Sequence, residues 1–218
     1  MNQQTNSKPQ IRVIKDEQQL QRHIEALIDI EPRFDAVYQQ VGMPDLRRNQ
    51  GGFVRLIRAM VGQQLSVAAA SSIWNKLESA GLIYPQAIID ADDDQLRAHG
   101  LSKQKIRYIR SLVAHDIDFE SLEVMTDEEV IKTLTAVTGI GKWTAEMYLL
   151  FSLGRADVLA VDDLAIKVGA MDLLQLDARP TPKQLRDLTQ DWSPYRSAAS
   201  LLLWSHYGWL KDRQALPV

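Results

Sequence analysis

The chain has 218 residues, 45% of them hydrophobic and 24% charged, with a formal net charge of −3, a balance that suits one or two ordinary globular domains. Cysteine is absent, which excludes disulfides, thiolate zinc sites, iron–sulfur clusters and cysteine nucleophiles together. The histidines His23, His99, His115 and His206 are scattered without ligand spacing, no apolar run approaches the roughly 18 residues that cross a bilayer, and the global charge leaves any nucleic-acid function to local motifs.

Residues 1–10 read as a disordered tail, polar and free of aromatics. This start lacks a secretory hydrophobic stretch, so a cytoplasmic location is expected, nucleoid-associated in a bacterium and nuclear in a eukaryote. From residue 11 to 218 the pattern is helical, apart from a short alternation in IRVIK. The segment from Phe53 places Leu56, Ile57, Met60 and Val61 on one face. Gly62 interrupts it, and Ser66 can N-cap the next helix. Ser102 precedes KQKIRYIRSLV, with Ile106, Ile109 and Val113 expected inward. Its cations Lys103, Lys105, Arg107 and Arg110 can track phosphates or form a solvated face, and the pattern does not choose. Thr126 with Glu129 makes a capping box. Thr181-Pro182 and Ser193-Pro194 each read as an N-cap followed by proline at the first helical position. Gly208 is expected to end the last helix, and Trp74 and Trp204 read as core. The sum is an all-α fold of two helical lobes with a cleft between them, where a substrate is expected.

The most informative segment is LTAVTGIGKWTAEM, residues 134–147. One helix is expected to end near Val137 and another to start at Lys142 or Trp143. Gly139 and Gly141 can take backbone angles closed to other residues and admit a second backbone at close range. N–H groups opening the second helix make a phosphate site, with Lys142 as an adjacent cation. The plain alternative is a tight turn between antiparallel helices. Further on, in VLAVDDLAIKVGAM, Asp162 reads as an N-cap and Asp163 as a first-turn acid; local sequence alone allows both to be purely structural.

Val137-Thr138-Gly139-Ile140-Gly141-Lys142-Trp143-Thr144-Ala145 resembles the helix-hairpin-helix of the DNA glycosylase superfamily, and is most similar to the 3-methyladenine DNA glycosylase II branch. The similarity runs from about Phe53 to Trp209. It implies a helix-hairpin-helix at about 130–152 that grips phosphates through Gly139, Ile140, Gly141, Lys142 and Thr144, and a monovalent cation held by the backbone carbonyls of Thr135, Val137 and Ile140. No other cofactor is expected. Asp163 matches the family's catalytic aspartate, with Asp162 as the cap before it. Bifunctional members carry a lysine nucleophile where this chain has Trp143. Lys142 is one residue off, roughly 100° around a helix, so water is the expected nucleophile and no strand cleavage follows.

The resemblance also implies a base-extrusion apparatus. Gln64, Leu65 and Ser66 match the intercalating loop, with either Gln64 or Leu65 as the plug; a loop that merely caps helices is the alternative. Trp143 and Tyr195 are the expected aromatic walls of a base pocket, with Met147 and Leu164 where other members have aromatics. Larger members carry an N-terminal β domain, which the stretch before Phe53 is too short to hold in full. The implied partner is damaged double-stranded DNA, with no membrane contact and a monomer as the default. The implied activity is hydrolysis of alkylated purines of the 3-methyladenine and 7-methylguanine type, without lyase activity. A glycosylase for deaminated or mispaired bases, or a non-catalytic DNA-binding module, are the alternatives.

Overall fold

A computed structural model describes residues 11–215, so the tail expected at 1–10 lies outside the described residues. The chain divides into two compact units, the first formed by residues 1–48 and 149–218 and the second by 49–148. All regular elements among the described residues are helices, and none is long and apolar enough to cross a membrane.

In the first unit, α1 (Glu17–Ile30) opens on Asp16, whose carboxylate accepts the Gln19 N–H at 2.8 Å. It buries Leu20, Ile24 and Leu27, the helical stripe that its spacing dictates. Next comes α2 (Arg33–Val41), which buries Phe34 edge-on against Trp192, with ring centroids 4.9 Å apart. The IRVIK alternation supplies only an isolated bridge between Val13 and Arg155.

The second unit holds α3 (Phe53–Gly62), α4 (Val67–Ser79), α5 (Pro85–Asp90), α6 (Asp93–Ala98), α7 (Lys103–Ala114), α8 (Asp127–Thr135) and α9 (Lys142–Tyr148). α3 buries Leu56, Ile57, Met60 and Val61 and stops at Gly62 as expected. Ser66 caps α4, Ser102 caps α7, and Thr126 with Glu129 forms both halves of a capping box at α8. α7 is the hub, packing against α3, α5 and α6. Its inward residues are Ile106, Ile109 and Leu112. Val113, expected inward, is half-buried, because the packed stripe advances by threes.

The chain then returns to the first unit for α10 (Leu164–Leu173), α11 (Pro182–Leu188) and α12 (Arg196–Ala215). Thr181 and Gln184 cap α11 with Pro182 at its first position. Two expectations fail at α12. Ser193 is not an N-cap; its hydroxyl donates to Asp157 Oδ2 at 2.7 Å and α12 starts at Arg196. Nor does Gly208 end α12, which continues to Ala215; a glycine inside a helix costs only about 1 kcal/mol, and α12 packs against α1, α2 and α10. Gly169 lets α10 and α12 approach, since a Cβ there would lie 2.9 Å from the Leu203 carbonyl.

Candidate active site

The hairpin turn belongs to the second unit. Gly139 has φ +95°, and a Cβ on it would lie 2.3–2.7 Å from the Tyr108 ring. Both the left-handed backbone and the ring beneath it therefore demand glycine. The Thr138 N–H donates to Ser111 Oγ at 3.0 Å, and the Ile140 N–H to the Val137 carbonyl at 3.1 Å. Val137 and Ile140 turn their side chains into the core. Gly141 departs from expectation: its φ is not positive, and nothing lies within 4 Å of where its Cβ would be. Its glycine keeps space open rather than permitting a special angle. The Ala145 N–H closes on the Gly141 carbonyl at 3.1 Å, which leaves the Gly141 and Lys142 N–H groups outside the ladder of α9. Thr144 is buried, so the structure does not present its side chain at the surface of the turn. Lys142 Nζ lies 3.5 Å from Glu146 Oε1.

The segment between α3 and α4 lies in the same unit. Ser66 Oγ accepts the Ala69 N–H at 3.3 Å, so its hydroxyl is engaged as a helix cap. Gln64 is exposed with φ +57°, and Leu65 is 39% exposed. A non-glycine residue in that region costs on the order of 1 kcal/mol and persists only where its surroundings fix it. One fixing contact is a bond that sequence reasoning did not foresee: Gln63 Nε2 donates to the Gly139 carbonyl at 2.9 Å. The structure thus joins the 62–66 segment to the hairpin turn. On α9, Trp143 is 48% exposed and Met147 half-buried.

Asp163 lies in the first unit, half-buried, and is itself the N-cap of α10. This corrects the assignment of Asp162 as the cap; Asp162 is exposed, one residue outside the helix. Three N–H donors converge on Asp163 Oδ1: Ala165 N at 2.8 Å, Ile166 N at 3.1 Å and the Trp204 indole Nε1 at 3.2 Å. Bonds to an ionised acceptor are among the stronger kind, and three of them fix the plane of the carboxylate. Trp204 in turn stacks on Phe151, with centroids 5.8 Å apart and planes at 25°. The close α10–α12 contact at Gly169 sets the register that brings Trp204 to the cap. Leu164, first in α10, is 51% exposed. Tyr195 is half-buried and packs edge-on against His23 at 5.2 Å.

The reading of Trp204 as core is therefore incomplete: its ring packs, while its N–H serves the carboxylate. Trp74 is core. The cations of α7 divide. Lys105 Nζ donates to the Val61 carbonyl and Arg110 to the carbonyls of Ile88 and Ala91, so both finish the C-terminal ends of neighbouring helices. Burial pushes the Lys105 ammonium below its usual pKa. Arg107 lies over the Tyr108 ring at 5.6 Å.

A carboxylate held rigidly at a helix start can stabilise a developing positive charge and orient a water molecule. Residues 57–194 match the family described as HhH-GPD superfamily base excision DNA repair protein. DNA-3-methyladenine glycosylase 1 of Schizosaccharomyces pombe is 37% identical over 161 residues, covering 70% of this chain and 71% of that protein. A crystal structure of a DNA-3-methyladenine glycosidase from Bacillus halodurans superimposes with a TM-score of 0.81 at 35% identity, covering 87% of this chain and 91% of that one. The S. pombe 3-methyladenine DNA glycosylase Mag1, solved in complex with abasic DNA, gives 0.72 at 33% identity and covers 84% and 95%.

Proposed function

Since the chain belongs to the HhH-GPD superfamily of base excision DNA repair proteins, we propose that it hydrolyses the N-glycosidic bond of alkylated purines in duplex DNA, of the 3-methyladenine and 7-methylguanine type. The observation that carries the reading is the convergence of three N–H donors on one oxygen of Asp163. An alkylated purine is cationic, so the electron pair of the breaking bond leaves with a base that becomes neutral. Positive charge then builds on the sugar, as in other glycoside cleavages. The fixed anion of Asp163 stabilises that charge, and a water molecule adds to C1′ and gives up its proton to the Asp163 carboxylate or to bulk water.

Water is the proposed nucleophile, without lyase chemistry. Trp143 stands where a lysine would be needed, and the neighbouring Lys142 is paired with Glu146. Trp143, Met147, Leu164 and Tyr195 are proposed to meet the extruded base, and Gln64 or Leu65 to fill the space that it leaves. The turn at Gly139–Lys142 is proposed to grip the strand. The backbone carbonyls of Thr135, Val137 and Ile140 are proposed to hold a monovalent cation, which would add positive charge beside a phosphate. The protein is proposed to work as a monomer, wherever the cell keeps its DNA.

The test is release of 3-methyladenine and 7-methylguanine from methylated duplex DNA by the wild type and by Asp163→Asn. A loss of about 10²–10³-fold in the variant is expected. Full retention would remove Asp163 from the reaction. Release of only hypoxanthine or mispaired bases would move the enzyme to another lesion class, and binding without any release would leave a DNA-binding module.

A further inference from the structure

We propose that Gln63 is a positioning residue whose amide, donated to the Gly139 carbonyl, holds the inserting residues Gln64 and Leu65 at a fixed place relative to the strand-gripping turn. The proposal rests on the glycosylase reading above and adds a coupling between two of its parts. The bond is 2.9 Å long and links residues far apart in sequence. Gln63 is half-buried, which shields the bond from competition with water and strengthens it.

Both ends of this bond stand on α7. On one side, Lys105 holds the Val61 carbonyl at the end of α3. On the other, the Tyr108 ring lies against Gly139 and Ser111 Oγ accepts the Thr138 N–H. Gln63 closes a circuit from Val61 through Gly139 and Thr138 to Ser111, back along one helix to Lys105. Next to it, Gln64 sits in the left-handed region at φ +57°, and Ser66 is fixed as the cap of α4. Gln64 and Leu65 are the two residues left between these anchors.

A segment held in its inserting shape before DNA arrives needs less ordering on binding. The strand grip and the plug are then set together. Without the Gln63 amide, the turn can engage phosphates while the plug is free to relax.

The experiment uses duplex DNA with a tetrahydrofuran abasic analogue and 2-aminopurine on the opposite strand, whose fluorescence reports insertion without any base release. Gln63→Glu removes the donor while keeping the shape, and Gln63→Ala removes the side chain. In both variants the rate of the fluorescence change is expected to fall about five- to tenfold, the size of one lost hydrogen bond. Melting temperature should stay close to wild type in both variants, and affinity for undamaged duplex should stay so in Gln63→Ala, which adds no negative charge near the strand. In a Gln64→Gly/Leu65→Gly background, which has no plug to position, Gln63→Glu should have no further effect.

Wild-type fluorescence kinetics in both Gln63 variants would overturn the proposal. So would an equal loss in the plugless background, which would make the bond a prop for the hairpin alone. A wild type that releases bases without any fluorescence change would overturn it as well. A wild-type fluorescence change and a slowed Gln63→Glu, with no alkylated base released from any substrate, would strike the substrate reading and leave the coupling standing.

Discussion

The indole N–H of Trp204 donates to the same oxygen of Asp163 that accepts two backbone N–H groups at the start of α10. Helix cap and candidate catalytic group are one side chain, so its structural and chemical roles can be separated by the choice of substitution. Asparagine caps a helix about as well as aspartate, whereas alanine loses roughly 1 kcal/mol. Asp163→Asn should therefore unfold in urea at nearly the wild-type midpoint, and Asp163→Ala earlier, while both lose base release to a similar degree.

Trp204→Phe keeps an aromatic ring against Phe151 but deletes the donor to Asp163. A hydrogen bond to a charged group contributes about 1.5–3 kcal/mol. If that bond holds the carboxylate in its working plane, single-turnover base release should slow by about tenfold or more. DNA affinity should be unchanged. A variant as fast as wild type would mean that the backbone bonds alone orient the carboxylate.

The two glycines of the hairpin should respond differently to alanine. At Gly139 the new methyl meets the Tyr108 ring and a φ of +95°, so a loss of about 1–3 kcal/mol of stability is expected. At Gly141 the methyl meets open space within the protein. Gly141→Ala should keep its melting temperature and, on the proposed grip of the strand by this turn, lose affinity for DNA. Denaturation and fluorescence-anisotropy titrations of the two variants would check the contrast.

Two groups predict how stability falls on acidification. Burial, with Arg12 and Arg22 adding, lowers the His23 pKa below its ordinary 6.5. Its contribution is complete above 6.5 and is lost as pH falls from there toward the folded value. For Asp157, burial acts upward, but the bonds from Arg196 and Ser193 outweigh it and hold the carboxyl below its ordinary 3.8. Its contribution begins to fade only below 3.8. His23→Phe, which keeps a ring beside Tyr195, should flatten the first limb of a stability–pH curve. Asp157→Asn should flatten the second.

Local chemistry was legible in the sequence wherever one turn of chain decides the outcome. The boxes at Thr126–Glu129 and Thr181–Gln184, and the caps Ser66 and Ser102, formed where short-range hydrogen bonding requires. The end of α12 was not, because tertiary packing carries a helix past Gly208. The Asp162/Asp163 register depends on which carbonyl starts the helix ladder, and two adjacent acids give no sign of that. Trp204 and Gln63 escaped for a different reason. Their partners, Asp163 and Gly139, lie 41 and 76 positions away, and no periodicity connects them. A tryptophan in an apolar helix reads as packing until its N–H is seen.

Lys105 and Arg110 look from the sequence like part of a cationic stripe, yet they tie off the carboxyl ends of neighbouring helices. Ammonium and guanidinium groups engaged in this way release few counterions when a polyanion docks. Each phosphate neutralised by a free cation steepens the log–log dependence of affinity on salt by about 0.9. Neutral amide donors, such as those proposed to grip the strand at the hairpin, add nothing to that slope. Complex formation by this acidic protein should accordingly tolerate rising ionic strength better than that of a lysine-rich binder of equal affinity.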